Sequence, residues 1–480
     1  MNPKRVVHIL GLLLLVLSAA ELVPLVWCLA PGAGASAPGF LVAAVATALA
    51  GLAMRAFGSA EGELYRRDGV LIVVGAWLLA SVSGALPYVV SGAIPSAVDA
   101  LFESASGFTT TGASILTDIE ALGAPLLFWR SFTQWLGGIG IVVLFVALLS
   151  ELGPGARFLF KLEVPGPKAE IMHTRVQETA SALLRIYVVL TLLQAGLLLL
   201  CGLSLFDALT HAFSTLSTGG FSPHQASVGA FGLAAQGVVL VFMIAAGLNF
   251  SLYYSALRRR DLQPFRDAEL RSYLALIGAS VLFVSLDVAT GSDAPALRIA
   301  FDAAFQVASI VTTTGFATAD FADWPGVSRA ILVALMVVGG CAGSTAGGMK
   351  VIRVLVGWKA AIREVRLTFN PSAVIAVVVG GQPVPEESVR SVVSLLVLWV
   401  FAWGVGTLLL SAGGEGIVTG ATASIATLSN VGPGLEAVGP NEIFAFFAGW
   451  QKLVMILLMW LGRLEFFSLV AIFLPHFWRR

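Results

Sequence analysis

Phe108-Thr109-Thr110-Thr111-Gly112-Ala113-Ser114 decides the reading of this chain, because the chain returns to the same kind of stretch three more times. The returns are Thr215-Leu216-Ser217-Thr218-Gly219-Gly220-Phe221, Val311-Thr312-Thr313-Thr314-Gly315-Phe316 and Thr427-Leu428-Ser429-Asn430-Val431-Gly432-Pro433. Their spacing, roughly a hundred residues, is far beyond the period of a solenoid repeat. Each copy lies between two long apolar segments. The repeating unit is therefore a span, a short re-entrant piece and a second span. Four such units about one axis would bring four glycine-centred strands face to face.

The surroundings of the stretch are those of a membrane protein. Of the 480 residues 58% are hydrophobic and 12% charged, with mean hydropathy +0.91, against about 25% charged in ordinary soluble domains. Apolar runs of about 20 residues point to helices rather than to the alternating strands of a barrel. Net charge is zero, and no nucleic-acid partner is expected. Cys28, Cys201 and Cys341 lie far apart in or beside apolar runs and read as small core residues. Lys4 and Arg5 precede an apolar run longer than the 7–15 residues of a signal-peptide core, so the first segment reads as a retained helix.

Ten spans can be drawn, at about 6–29, 38–57, 70–94, 125–150, 180–204, 230–256, 268–290, 328–357, 388–411 and 443–474. Basic residues check the count. They fall at Lys4 and Arg5; at Arg55, Arg66 and Arg67; and at Arg157, Lys161, Lys168 and Arg175. The series continues at Arg258, Arg259, Arg260, Arg266 and Arg271, at Lys350, Arg353, Lys359, Arg363 and Arg366, and at Arg479 and Arg480. The alternate loops 30–37, 95–124, 205–229, 291–327 and 412–442 contain only Arg298. Positive charge marks the cytoplasmic side. Both termini are thus expected in the cytoplasm and all four glycine stretches on the outer side.

The fold class expected is an all-α polytopic membrane protein: ten transmembrane helices plus four re-entrant helix-and-loop pieces in pseudo-fourfold arrangement. Residues 1–65 form a preceding helix pair, and the units cover 66–165, 166–262, 263–370 and 371–480. Asp99 stands 13 positions before Gly112, Asp302 stands 13 before Gly315, and Asp207 stands 12 before Gly219. With Thr419 in the fourth unit, these residues are expected to N-cap the short helices.

A bare cation in hydrocarbon costs tens of kcal/mol, and backbone carbonyls can replace its water without fixed charge. Lining a path with consecutive carbonyls needs alternating backbone conformations, hence residues tolerant of positive φ. Gly112, Gly219, Gly315 and Gly432 supply these, with Thr110, Thr111, Ser217, Thr218, Thr313, Thr314, Asn430 and Val431 completing a cation filter. The C-terminal end of each short helix adds about half a negative charge. One glycine per strand, where the potassium-channel loop has two, predicts selection that is not stringent.

The four motifs, the helix pair ahead of them and Gly339-Gly340-Cys341-Ala342-Gly343-Ser344-Thr345-Ala346-Gly347-Gly348-Met349-Lys350 resemble the Trk/Ktr-type potassium transporters, in particular the TrkH branch. The resemblance covers essentially the whole chain. It implies potassium uptake across the bacterial inner membrane, a homodimer, and a peripheral cytoplasmic nucleotide-binding regulator (TrkA-like). No cofactor is expected beyond K⁺ as the transported ion, bound at the filter residues.

The glycine-rich segment has two readings from its residues alone. Five glycines with Ser344 and Thr345 make a poor helix, whereas Gly339, Gly343 and Gly347 have the spacing of close helix packing. The resemblance implies the first, an intramembrane gating loop over 339–348 built on Gly339, Gly340, Gly343, Ser344, Thr345, Gly347 and Gly348. It also implies that Arg463, inside the last span, projects into the pathway as an electrostatic barrier. An arginine at helix centre costs about 2.5–3.5 kcal/mol, and Glu465 at i+2 is poorly placed to pair with it. Lys350 and Arg353 read as boundary charges, with gate contacts as a second reading. Glu103 and His211 read as packing or interface groups, and His173 and His224 as loop residues.

No catalytic arrangement stands out, so the chain is not read as an enzyme. A secondary transporter for an organic solute would need broken helices meeting at the midplane from two repeat halves. Four outer irregular pieces disfavour that alternative. A sodium/potassium cotransporter of the same superfamily is the other alternative.

Overall fold

The computed structural model describes residues 1–29, 36–140, 176–259 and 266–478. The second half of the expected span 125–150, the unit boundaries at 165 and 262, and the residues Arg157, Lys161, Lys168, His173, Arg175, Arg260, Arg479 and Arg480 lie outside them.

The chain opens with α1 (Pro3–Glu21) and α2 (Ala37–Phe57), followed by α3 (Arg66–Val90). Asn2 starts α1 by accepting from the Arg5 amide at 3.2 Å, and its own amide donates to Asp68 Oδ1 of α3 at 2.9 Å. α1 and α2 cross where Gly11 faces Gly51. A Cβ on either would lie 2.7–2.8 Å from the other's carbonyl oxygen. Without water to drive helices together, such small-residue contacts let backbones pack closely in lipid.

Four short helices follow the glycine pattern: α4 (Ala97–Phe108), then, after α5 (Ala124–Gly138) and α6 (Val176–Leu200), α7 (Leu205–Leu216). The second helix of that unit is α8 (Leu233–Ala246), broken from α9 (Phe250–Arg259) by a 90° bend. The third unit has α10 (Ala268–Ala289), the short α11 (Ala296–Val311), α12 (Gly326–Val338) and α13 (Val351–Phe369). The fourth has α14 (Glu386–Ser411), the short α15 (Ile417–Leu428), α16 (Gly449–Arg463) and α17 (Phe467–Phe473), with α18 (Pro475–Trp478) at the end. Between α13 and α14 a hairpin of β1 (Val378–Val379) and β2 (Gln382–Pro383) turns through Gly380 and Gly381 at φ 59° and 78°, a departure from the all-α expectation.

Six of the described helices are long and apolar enough to cross a membrane. The second helix of each unit is not one of them, which corrects the expectation of unbroken spans at 230–256 and 443–474. α5, α8, α12 and α16 all stop after 13–15 residues, about two-thirds of the hydrocarbon core. Glycines near three of these ends allow close approach to the short helices. A Cβ on Gly137 would collide with the Phe108 carbonyl, one on Gly462 with that of Leu428, and one on Gly247 would meet the Thr312 methyl at 3.0 Å.

The expected N-caps are also corrected. Ser96 and Ser204 cap α4 and α7, accepting from the amides of Asp99 (3.4 Å) and Asp207 (3.0 Å) three residues on. Asp302 sits mid-helix in α11, which starts one turn earlier, and pairs with Arg298 at 2.8 Å. Thr419 lies in the first turn of α15 and donates to Glu436 at 3.1 Å.

Candidate filter and the closure beneath it

All four short helices end in the same way. The Thr111, Gly219, Thr314 and Val431 amides donate five residues back, to the carbonyls of Ser106 (2.9 Å), Ser214 (2.8 Å), Ser309 (2.8 Å) and Ala426 (2.8 Å). The preceding amides donate three residues back. This is the Schellman ending, which requires a left-handed residue. Here that residue is Thr110, Thr218, Thr313 or Asn430, at φ 54–57°, instead of the usual glycine. A β-branched residue there is a true outlier costing about 1–3 kcal/mol, and it persists only where the surroundings over-determine it.

Two residues further on, φ is positive again at Gly112 (79°), Gly220 (78°), Gly315 (81°) and Gly432 (97°). The second stretch is therefore in register through Gly220, not Gly219, which corrects the sequence alignment. Gly219 takes the place of Thr111, Thr314 and Val431. The signal was present in the sequence: Asp207 stands 13 positions before Gly220, matching the spacing of Asp99 and Asp302 to their glycines.

The four stretches meet in cyclic order. A Cβ on Gly112 would fall on the Gly219 carbonyl, one on Gly220 on that of Thr314, and one on Gly315 on that of Val431. The circuit closes at Gly432, whose Cβ would lie 2.7 Å from the Thr111 carbonyl oxygen. Hydroxyls tie the strands internally, through Thr109 with Thr111 (2.8 Å) and Thr312 with Thr314 (2.7 Å). Gln134 of α5 takes this part in the second strand, donating to the Gly219 carbonyl at 2.6 Å and accepting from the Phe221 amide at 3.0 Å. Asn430 makes the fourth side different, bridging Thr111 Oγ1 (2.9 Å) and the Met459 carbonyl (3.1 Å).

A second set of ties holds each strand as it leaves its glycine. Glu103 accepts from Ser114 Oγ (3.0 Å) and the Ile115 amide (3.1 Å). His211 Nε2 meets Ser222 Oγ at 3.1 Å. Gln306, its amide oriented by its hydrogen-bond network, accepts from the Thr318 amide at 2.9 Å. In the fourth unit the residue matching Glu103 is Ala423, and its neighbour Thr422 accepts from the Leu435 amide at 3.1 Å instead. Glu103 and His211 thus brace the strands as well as packing the helices. Arg130, which the sequence reading passed over, completes the first brace. It donates to Glu103 Oε1 (2.8 Å) and to the Ser222 carbonyl (3.1 Å), with its guanidinium 4.2 Å from the centre of the Phe221 ring.

Beneath the ring the chain from Gly339 to Lys350 leaves helical geometry, with positive φ at Gly339, Gly343, Gly348 and Lys350. The break in the second unit receives it. The Cys341 amide donates to the Gly247 carbonyl (2.9 Å), Thr345 Oγ1 to that of Ala246 (3.2 Å), and the Phe250 amide to that of Gly343 (2.9 Å). Its far side reaches the ring itself: the Gly347 amide donates to Thr313 Oγ1 (2.6 Å) and the Gly348 amide to the Ser429 carbonyl (3.0 Å). Gly340 and Ser344 lie within this turn, Ser344 Oγ donating to the Cys341 carbonyl at 2.6 Å.

Arg463 ends α16 at the same level. It donates to the carbonyls of Thr345 (2.9 Å), Gly137 (2.7 Å) and Gly138 (3.0 Å) and to Thr110 Oγ1 (3.2 Å). The Gly137 and Gly138 carbonyls lie at the C-terminal end of α5, where a cation is favoured. Arg463, Thr345, Gly347, Asn430, Tyr187 and Phe250 line one cavity of about 90 Å³. Glu465, in the left-handed region at φ 54°, pairs with Arg353. Lys350 is 6% exposed, and its Nζ donates to the Ala346 carbonyl within the loop. Lys350 therefore belongs to the loop and does not sit at the water boundary.

Comparison with known proteins agrees with this architecture. The TrkH family, described as cation transport protein, matches residues 38–479. The Trk system potassium uptake protein TrkH of Halomonas elongata is 39% identical and that of Escherichia coli 37%, each over 100% of both chains. The crystal structure of the potassium transporter TrkH from Vibrio parahaemolyticus superposes with a TM-score of 0.89 at 36% identity, covering 100% of both chains. Relatives and fold together make this chain a member of the TrkH family of cation transport proteins.

Proposed function

We propose that this protein takes up potassium across the bacterial inner membrane through a filter formed by the four glycine stretches. In this reading residues 110–112, 217–220, 313–315 and 430–432 surround the ion together and their carbonyls replace its water, and the path below is closed by residues 339–348 and Arg463. The observation that carries it is the cyclic meeting of four strained, glycine-containing strands directly above a cavity bounded by that loop and a guanidinium. The relatives' names supply the ion.

The finer architecture belongs to the same reading. Residues 1–65 are a helix pair added to four units at 66–165, 166–262, 263–370 and 371–480. The helices cross ten times, and both termini are cytoplasmic. The working unit is a homodimer in membrane lipid, controlled by a cytoplasmic nucleotide-binding protein of the TrkA kind.

The test is growth at low potassium of a bacterium stripped of its own potassium uptake. The chain should restore it. Failure despite full membrane insertion would overturn the assignment. Gly315→Ser, which puts a side chain onto the Val431 carbonyl at φ 81°, should restore growth only with lost preference for potassium over sodium.

A further inference from the structure

We propose that Glu269 is the positioning residue that holds the Gly339–Lys350 loop in place, by capping in trans the helix that follows it. The inference rests on the gating reading of that loop. Helix α13 begins at Val351 with Lys350 in the cap position, at φ 76° and with no side-chain cap. A capping side chain normally accepts from the second or third amide of its helix. Glu269 Oε1, from α10, does so instead, accepting from the Ile352 amide at 3.3 Å. The same oxygen accepts from the Ala342 amide at 2.6 Å. One carboxylate oxygen therefore grips the loop on its way in and the helix on its way out. A charged acceptor at a helix N-terminus is the stronger kind of cap.

Two further facts make this a control point. Glu269 is 8% exposed, so water is a poor substitute for it. It also stands in the first turn of α10, two residues after the capping Asp267, whose side chain accepts from the Glu269 and Leu270 amides at 2.9 and 3.2 Å. The basic segment 257–266 ends there. A displacement of the start of α10 would carry the carboxylate away from both amides.

The native Cys341, 1% exposed and next to Ala342, reports on the loop without any probe being built in. With Cys28 and Cys201 replaced by Ser, full-length protein in liposomes is reacted with a soluble maleimide, and potassium flux is measured in parallel. Glu269→Ala should quicken Cys341 labelling and basal flux by about tenfold, the scale on which a lost charge-assisted acceptor shifts an equilibrium. Glu269→Gln, which keeps an acceptor oxygen, should fall between it and the parent. Unchanged labelling in Glu269→Ala overturns the proposal, whatever the flux does. Faster labelling with unchanged flux upholds the clamp and instead overturns the gating reading of the loop. If Glu269→Ala fails to insert, Glu269→Asp, which withdraws the carboxylate by one methylene, is read by the same criteria.

Discussion

Arg463 Nη1 lies 3.2 Å from Thr110 Oγ1, so the cation beneath the ring touches one of the four left-handed residues that shape it. Nη1 also donates to the Thr345 carbonyl at 2.9 Å. On the third side the Gly347 amide donates to Thr313 Oγ1. In the proposed reading, closure and selection are thus joined by direct hydrogen bonds, and a change in one is expected to be felt in the other.

Arg463→Ala is expected to raise potassium flux in liposomes by at least tenfold. A unit charge about 5 Å from the path weighs about 3 kcal/mol against a passing cation at an effective dielectric of 20. Flux at or below the parent's, with the protein still monodisperse, would refute the barrier role.

The register of the second strand gives a sharper pair. A Cβ on Gly220 meets the Thr314 backbone at φ 78°, whereas one on Gly219 meets the Gln134 side-chain amide, a brace of the strand and not backbone of the neighbouring one. Gly220→Ala should therefore abolish the preference for potassium over sodium, and Gly219→Ala should weaken it less. Competition of sodium with rubidium uptake measures both. The reverse order would return Gly219 to the filter position.

The four glycine stretches were legible in the sequence because Thr/Ser-x-Gly three times, and Asn430-Val431-Gly432 once, recur between apolar segments. The break at 339–348 was only half legible: five glycines make a poor helix, but Gly339, Gly343 and Gly347 also have the spacing of close helix packing, and the family resemblance was what favoured the loop. Hydropathy averages over a break, however, so Gly247-Leu248-Asn249 and Leu464-Glu465-Phe466 passed as continuous span. Their turns are fixed by partners distant in sequence, Gly343 for Phe250 and Arg353 for Glu465. The Glu103–Arg130 pair was hidden in the same way, as two charges 27 residues apart in apolar surroundings. The capping serines were readable: Ser-x-x-Asp at Ser96 and Ser204 places the cap three residues before the acid.

That pair carries its own prediction. Glu103 and Arg130 are 0% and 1% exposed, and breaking a buried pair by removing one member costs about 3–5 kcal/mol. Arg130→Ala leaves the Glu103 carboxylate uncompensated and frees the Ser222 carbonyl beside Gly220. It should lower the melting temperature in detergent and impair potassium selectivity together. Glu103→Gln with Arg130→Gln restores neutrality and should recover much of the melting temperature but less of the selectivity. If selectivity is untouched in the stable double variant, the brace is structural only.

Deletion of residues 343–347 separates the two readings of the glycine-rich segment. The Gly339 and Gly348 backbones already lie side by side, a Cβ on Gly339 falling 2.8 Å from the Gly348 Cα, and the Met349 amide donates to the Val337 carbonyl at 3.0 Å. The neck of the loop thus closes without its tip. The deletion removes Thr345 and Gly347, which reach Arg463 and Thr313, and should leave a folded protein with raised basal flux. A packing role predicts the opposite: lost melting temperature and assembly, with no leak. Measuring flux and melting on the same purified sample decides between them.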